Sequence, residues 1–281
     1  MLFRSYDAKV RKEEIGDIEL PPAKIGSPVE YNRMTPGQKE VWDAHFGPQN
    51  QAFLADVEAG RLNHQDIVRW KYQRYIRNYL GTVKAVDESV GRLKQYLKDN
   101  GLEENTIVIY SSDQGFYLGE HGWYDKRWMF EESFKMPFLI KWPGVVKPGS
   151  RPAAMIQNID YAPTFLEMAG LRAPDEVQGK SIVPILKDSD AKIRDSVYYA
   201  YYEFGEHRVP RHFGVRTDRY KLFYLPDYDE WQMFDLVRDP REMTSIYDNP
   251  EYAAIRKQLT AEYHRLREYY DAPDYMGDRS P

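Results

Sequence analysis

The sequence of 281 residues contains no cysteine, and its charged side chains show no basic excess. The lack of cysteine excludes disulfide bonds, thiolate metal ligands and a cysteine nucleophile. Lysine and arginine number 39 against 44 aspartates and glutamates, a formal net charge of -5, and this balance argues against a nucleic-acid-binding protein. No apolar run approaches the ~20 residues that a membrane span requires. Repeats and low-complexity segments are also missing.

Aromatic residues, in contrast, are abundant, at 15% of the chain with 23 tyrosines. Aromatic faces stack on sugar rings in carbohydrate-binding proteins, and a tyrosine-rich core would give the same composition. Both interpretations stay open on composition alone.

The first part of the chain is rich in turn-forming residues. Pro21-Pro22, Thr35-Pro36-Gly37 and Gly47-Pro48 predict an irregular lead-in over residues 1–60, with a short helix from about Gly37 to His45. From about Asn63 to Asn100, apolar residues recur at steps of three and four and predict a long amphipathic helix.

The middle of the chain predicts an α/β core over residues 61–190. The run Thr106–Ser112 is β-branched and apolar, typical of a strand buried on both faces of a parallel sheet. Further strands are predicted at Pro137–Trp142 and Ala154–Gln157, and Asp160 is predicted to cap a short helix. Alternating helices and buried strands favour a layered α/β fold.

The last part, residues 191–281, predicts a smaller α+β subdomain. Its strands are expected to form an antiparallel sheet, followed by an amphipathic helix over about 251–270. The predicted strands are Tyr198–Tyr202, Phe213–Thr217, Tyr220–Leu225 and Trp231–Leu236.

The candidate metal-binding residues lie just after the first predicted strand. Asp113 and Gln114 follow it directly, where ligands bind in open parallel sheets, and Gly115 is expected to let the chain turn sharply. Carboxylate and amide oxygens suit Ca²⁺ or Mg²⁺, but such an ion needs six or more donors. An aspartate that caps an ordinary turn is the alternative.

An ordered series of motifs resembles the formylglycine-dependent (type I) sulfatases of the alkaline-phosphatase superfamily. The segment SSDQGFYLGEHGWYDKRWMFEESFKMP, residues 111–137, is similar to the second signature of that family. The resemblance spans roughly residues 65–270, and the sequence around Asp113-Gln114-Gly115 is most similar to that of bacterial glycan sulfatases, including N-acetylglucosamine-6-sulfatases. It implies part of an alkaline-phosphatase-like mixed or parallel sheet core, a small C-terminal antiparallel sheet and a terminal helix. The other matching segments are VDESVG (86–91), NIDYAPTFLEMAG (158–170), QGKS (178–181), GVRT (214–217) and FDL (234–236).

The resemblance implies roles for three residues in particular. Asp113 and Gln114 match the third and fourth metal ligands of the family, which bind Ca²⁺ (or Mg²⁺). Lys126 matches the lysine that contacts the sulfate oxygens, where an ammonium group favours the charge that develops on those oxygens. The implied substrate is a sulfated carbohydrate.

Three further residues are candidate substrate contacts. His121 could approach substrate or serve as a structural imidazole. Arg127 could bind an anionic oxygen or pair with Glu131 or Glu132. His212, ahead of the predicted Gly-Val-Arg-Thr strand, could reach the sugar or lie in an exposed polar loop.

The motif that carries the family's nucleophile, Cys/Ser-x-Pro-x-Arg, does not occur in this sequence. We expect that motif, with its formylglycine, the early aspartate pair and the upstream histidine, in an N-terminal half that precedes residue 1. The chain alone is then expected to bind metal incompletely and to be inactive. A full-length member of the family is expected in the periplasm or outside the cell.

Other functions are compatible with the same residues. A phosphodiesterase or phosphonate hydrolase of the same superfamily would also use carboxylate-bound metals. A non-catalytic sulfatase-like module would bind an anionic glycan without turnover, and a structural α/β protein would bind neither metal nor anion.

Overall fold

The computed structural model describes residues 28–124, 126–203 and 209–273, with side chains from residue 31 onward. Contacts divide them into two compact units: a helical unit of residues 28–100 and 118–124, and a sheet unit of residues 101–117, 126–203 and 209–273. The domain boundaries predicted near residues 60 and 190 stay a prediction. The first 27 residues of the predicted lead-in lie outside the described residues.

The helical unit contains three helices: α1 (Pro28–Arg33), α2 (Pro36–Glu58) and α3 (His64–Asp99). The Thr35 hydroxyl accepts a hydrogen bond from the Gln38 amide, and the Asn63 side chain accepts one from the Asp66 amide. These capping boxes explain where α2 and α3 begin. The long helix predicted near residues 63–100 is confirmed.

The prediction of an irregular stretch after His45 is wrong, because α2 continues through Gly47-Pro48 to Glu58. Proline inside a helix loses a hydrogen bond and costs about 3 kcal/mol, so tertiary contacts must compensate. Arg74 of α3 supplies them on both sides of the proline. Its guanidinium lies 4.2 Å from the ring centroid of Phe46, and its Nη1 donates to Asn50 Oδ1 at 2.8 Å.

The second half of α3 exposes much of its predicted apolar face, including Val83, Val86 and Leu93. Although α3 has 36 residues, none of the helices among the described residues is long and apolar enough to cross a membrane.

The sheet unit contains two sheets and four helices. Its elements are β1 (Val108–Ser111), α4 (Glu131–Phe134), β2 (Phe138–Lys141), α5 (Tyr161–Met168), α6 (Val183–Lys187), β3 (Ser196–Tyr201), β4 (His212–Thr217), β5 (Tyr220–Leu225), β6 (Glu230–Asp235) and α7 (Ala253–Tyr269). The α/β class predicted from the sequence is confirmed.

The strand pairing differs from the parallel sheet that the sequence predicts. β1 pairs with β2 in antiparallel register, with Val108 opposite Lys141 and Ser111 opposite Phe138. Among the described residues every strand pairing is antiparallel. The prediction that this strand is buried on both faces is also wrong, because none of the four residues of β1 is fully buried and Tyr110 is exposed. A continuous apolar run does not show which strand pairs with it or what covers it.

The strand predicted at Ala154–Gln157 is absent from the structure, where the side chains of Asp160 and Arg194 bond to the backbone of this segment. Arg194 binds the Met155 carbonyl at 3.2 Å, so side-chain contacts replace a strand ladder. The buried Asp160 carboxylate accepts hydrogen bonds from Arg194 at 2.5 and 2.6 Å and from the backbone amide of Lys180 at 2.8 Å. Asp160 precedes α5, but its carboxylate does not cap that helix as predicted.

The second sheet has the order β3-β4-β5-β6. Its strands are antiparallel throughout, as predicted. Successive side chains on a strand point to opposite faces. One face packs on α7, the predicted terminal helix. The cluster between them contains Phe213, Val215, Leu222, Met233, Leu259, Tyr263 and Leu266. The opposite face is free to support the segment that carries the candidate site.

Candidate functional site

The candidate site begins at the turn that follows β1. The Ser112 hydroxyl donates to the Gln114 carbonyl at 2.8 Å and lies 3.3 Å from Asp113 Oδ1. The Asp113 side chain is exposed. Among the described residues no hydrogen bond engages the Gln114 side-chain amide. Asp113 Oδ2 and the Gln114 side-chain oxygen are therefore available to a ligand.

These donors fit a divalent metal ion in kind. A carboxylate and an amide oxygen are hard ligands, as Ca²⁺ and Mg²⁺ prefer, and they supply two of the six or more donors that such an ion takes. Within the described ranges, no group of three or more histidine, aspartate or glutamate side chains is placed to hold a metal.

Gly115 brings this turn against α4. Its amide donates to the Ser133 carbonyl at 2.8 Å. A Cβ atom on residue 115 would lie 1.9 Å from the Glu132 carbonyl oxygen, so only glycine allows the approach. Gly115 does not adopt a positive φ, so the close approach to α4, and not a left-handed backbone, is what requires glycine at this turn.

The backbone of Lys126 also bonds to α4. The Ser133 hydroxyl donates to the Lys126 carbonyl at 2.5 Å. Ser133 thus bonds through its carbonyl to the Asp113–Gly115 turn and through its hydroxyl to the backbone of Lys126. The Lys126 side chain is half-buried, and in the described part of the chain no ion pair engages its ammonium group.

The segment after Lys126 is anchored in the interior. Trp128, Met129 and Phe130 are almost completely buried, and the Phe130 ring contacts Phe223 of β5 at a centroid distance of 5.8 Å. Gly214 of β4 makes room, because a Cβ there would lie 2.5 Å from the Met129 sulfur. The face of the second sheet opposite α7 therefore fixes residues 128–130, and with them the start of the Lys126 loop.

A cluster of buried charges holds α4 itself. The fully buried Lys221 ammonium lies 3.0 Å from Glu131 Oε1 and 2.7 Å from Glu242 Oε1. Arg216 donates to Glu131 at 3.1 and 3.2 Å, and Glu242 accepts from the Glu131 amide at 2.7 Å. Burial raises the pKa of Glu131, but the charges of Lys221 and Arg216 outweigh it and lower the pKa to about 2. Burial raises the pKa of Glu242 despite the same lysine.

Arg127 forms an ion pair with Glu203, Nε to Oε2 at 3.9 Å, with both side chains largely buried. The acidic partner considered first, Glu131, is engaged by Lys221 and Arg216 instead. Pairing is thus the environment of Arg127 in the structure. A substrate contact for Arg127 stays a prediction.

The two candidate histidines are both in the interior. His212 has no exposed surface and stacks on Trp128 and Tyr199, at centroid distances of 4.9 and 5.3 Å. Burial lowers the pKa of His212 to about 4, so its imidazole is neutral at pH 7. His212 therefore does not lie in the exposed loop considered as its alternative. A substrate contact for His212 stays a prediction. His121 is largely buried in the helical unit, 6.4 Å from Trp123 between ring centroids, and it adopts a positive φ of 54°.

Ser133, Lys221 and Glu242 support the site and were not singled out from the sequence. Lys221 gives a signal that could have been used: it interrupts the apolar strand YKLFYL with a charge that must be paired if buried. Ser133 and Glu242 have no comparable pattern.

Two family descriptions match this chain, each over more than half of its length. Residues 27–171 match the family described as Sulfatase. Residues 119–269 match the family described as N-sulphoglucosamine sulphohydrolase, C-terminal.

The chain is also similar to proteins with assigned activities. It is 43% identical over 262 residues to an N-acetylglucosamine-6-O-sulfatase of Bacteroides thetaiotaomicron, which covers 89% of this chain and 46% of that relative. The chain thus spans about half the length of that relative. An arylsulfatase of Clostridium perfringens is 31% identical, with 68% of this chain and 40% of the relative covered.

One solved structure, described as a complex with its substrate D-glucosamine-2-N,6-O-disulfate, superposes with a TM-score of 0.83 at 39% identity. The match covers 99% of this chain and 60% of that one.

Proposed function

Because this chain belongs to the sulfatase family, we propose that it forms the Lys126-bearing part of a sulfatase that acts on sulfated glucosamine. One observation in particular supports the proposal: a single residue, Ser133, bonds to both the Asp113–Gly115 turn and Lys126. The expected metal donors and the expected sulfate-binding lysine therefore share one support.

The substrate class follows from the relatives. The Bacteroides relative acts on an N-acetylglucosamine 6-O-sulfate, and the similar solved structure is described with a glucosamine disulfate. We extend that substrate class to this chain.

The chemistry assigned to this chain is binding and charge stabilisation. The Lys126 ammonium binds the sulfate oxygens and stabilises the negative charge that grows on them as the ester bond breaks. Asp113 and Gln114 would supply two of the ligands of a Ca²⁺ or Mg²⁺ ion, which when bound would act as a Lewis acid on the sulfuryl group.

The nucleophile must come from elsewhere, because the chain has no cysteine and no Ser-x-Pro-x-Arg sequence. The partner is then an N-terminal half that carries the formylglycine and the remaining metal ligands, in a periplasmic or extracellular enzyme. The 281-residue chain by itself is expected to hydrolyse no aryl sulfate, and turnover by the purified chain would refute this part of the proposal.

Binding tests the proposal directly on the 281-residue chain. Calorimetry with glucosamine 6-sulfate should detect binding, whereas unsulfated glucosamine should bind more weakly. Because charge-assisted hydrogen bonds are worth more than neutral ones, Lys126→Ala should lower the affinity about tenfold or more. Lys147→Ala, at an exposed lysine of the same unit, is the matched control and should bind as the wild type does.

A phosphonate hydrolase is the competing function. A phosphonate monoester hydrolase of Silicibacter pomeroyi superposes with a TM-score of 0.65 at 25% identity, over 74% of this chain and 43% of that one. Tighter binding of a phosphonate monoester than of glucosamine 6-sulfate would favour this function over a sulfatase.

A further inference from the structure

Ser133 forms hydrogen bonds to two separate loops of the candidate site. It is 7% exposed and lies in α4, a helix of four residues. Its carbonyl accepts from the Gly115 amide at 2.8 Å, and its hydroxyl donates to the Lys126 carbonyl at 2.5 Å. One residue thus bridges two loops that are 11 residues apart in the sequence.

The position of Ser133 is imposed from outside α4. A helix of one turn has too few internal hydrogen bonds to be stable alone. The buried charges of Lys221, Arg216 and Glu242 fix Glu131, the first residue of α4. The second sheet and Glu242 therefore hold the helix that carries the Ser133 hydroxyl.

The Lys126 backbone depends on that hydroxyl. The next carbonyl, that of Arg127, accepts a hydrogen bond from the Tyr199 hydroxyl, so two successive peptide groups are held by side chains. A lysine side chain has four rotatable bonds, and a fixed backbone beneath it reduces the conformational freedom that is lost when the ammonium group binds an anion. Loss of the Ser133 bond frees one of the two peptide groups.

We propose that Ser133 is a positioning residue, which holds Lys126 at a fixed place relative to the Asp113–Gly115 turn. The proposal rests on the proposed function, since it assumes that Lys126 binds the sulfate group. Ser133 itself does not contact the substrate.

A double-mutant cycle on the 281-residue chain tests the proposal. Calorimetry measures glucosamine 6-sulfate binding to the wild type, Ser133→Ala, Lys126→Ala and the double variant. The loss of one buried hydrogen bond predicts an affinity about three- to tenfold lower for Ser133→Ala. In the Lys126→Ala background the same change should have no further effect, because a residue that acts through Lys126 is silent without it.

Two variants serve as references. Ser133→Thr keeps the hydroxyl and should restore binding to near the wild-type value. Ser196→Ala removes a similarly buried hydroxyl, one that donates from β3 to Glu262 of α7, and should leave anion affinity unchanged. If Ser133→Ala does not fold by circular dichroism, Ser133→Cys takes its place, since a thiol is a weak donor of similar shape.

The outcomes separate the two proposals. Wild-type affinity for Lys126→Ala, or no binding by the wild type, would overturn the proposed function and this inference with it. A weakened Lys126→Ala together with a Ser133→Ala variant that binds normally would overturn the Ser133 role alone. Equal losses from Ser133→Ala in both backgrounds would do the same, because they indicate a general structural effect.

Discussion

Replacing Lys221 with methionine would remove the cation from a buried cluster of three charged side chains. Lys221 has no exposed surface, and its carboxylate partners Glu131 and Glu242 are 8% and 1% exposed at the side chain. Methionine keeps much of the side-chain volume, so the change tests charge more than packing. Arg216 would still pair with Glu131, whereas Glu242 would lose its cation.

The magnitude follows from this burial. Removing one partner of a buried ion pair leaves an uncompensated charge and costs about 3–5 kcal/mol. The pKa shift of Glu131 gives a free energy of similar size. A lowering from 4.5 to about 2 corresponds to about 3 kcal/mol of stability at neutral pH, to which Lys221 is the largest favourable contributor. We therefore expect Lys221→Met to lower the free energy of unfolding by about 3 kcal/mol at pH 7.

The loss should depend on pH in a defined direction. In the wild type, the contribution of Glu131 is fully present above its ordinary pKa of 4.5 and is lost as the pH falls toward about 2. Glu242 acts in the opposite sense, because a raised pKa makes its ionisation costly as the pH rises. Without Lys221 the pKa of Glu242 rises further, so Glu242 takes up a proton at a higher pH in the variant than in the wild type. That proton removes the unpaired buried charge from the variant. The stability difference should shrink as the pH is lowered from 7 to 4.

Urea unfolding, followed by circular dichroism at several pH values, measures this difference. Lys192→Met is the control, because Lys192 pairs with Asp218 at 2.7 Å with both side chains more than half exposed. Such a surface pair contributes about 0–1 kcal/mol. A loss below about 1 kcal/mol for Lys221→Met, or one that does not change with pH, would refute the assignment of Lys221 as the cation that holds α4.

Two further substitutions test the packing of the sheet unit. Gly115→Ala places a methyl group 1.9 Å from the Glu132 carbonyl oxygen. It should lower the free energy of unfolding in urea by about 2–3 kcal/mol and weaken glucosamine 6-sulfate binding. Unchanged binding would contradict the close approach of this turn to α4. Asp160→Ala leaves the guanidinium of Arg194 buried and unpaired and should cost about 3–5 kcal/mol, whereas the exposed Asp175→Ala should cost little; equal effects would contradict the central role of Asp160.

Local patterns in the sequence determined much of the fold. The three- and four-residue spacing of apolar side chains predicted α3 and α7, and short apolar strands between turns predicted that the second sheet is antiparallel. These elements follow from rules of spacing and capping that operate within a few residues. Gly47-Pro48 shows the limit, because the cross-helix contacts of Arg74 sustain α2 through a pair that locally predicts a turn.

The sequence also determined which residues are candidates for the site, since Asp113, Gln114 and Lys126 stand in an ordered series of motifs. Only the tertiary structure decided how that site is supported. The Ser133 bridge, the burial of His212 and the pairing of Lys221 with Glu242 join residues that are distant in the chain. Their physical cause is burial: a polar group removed from water must find a partner, and the fold as a whole determines which partner is within reach.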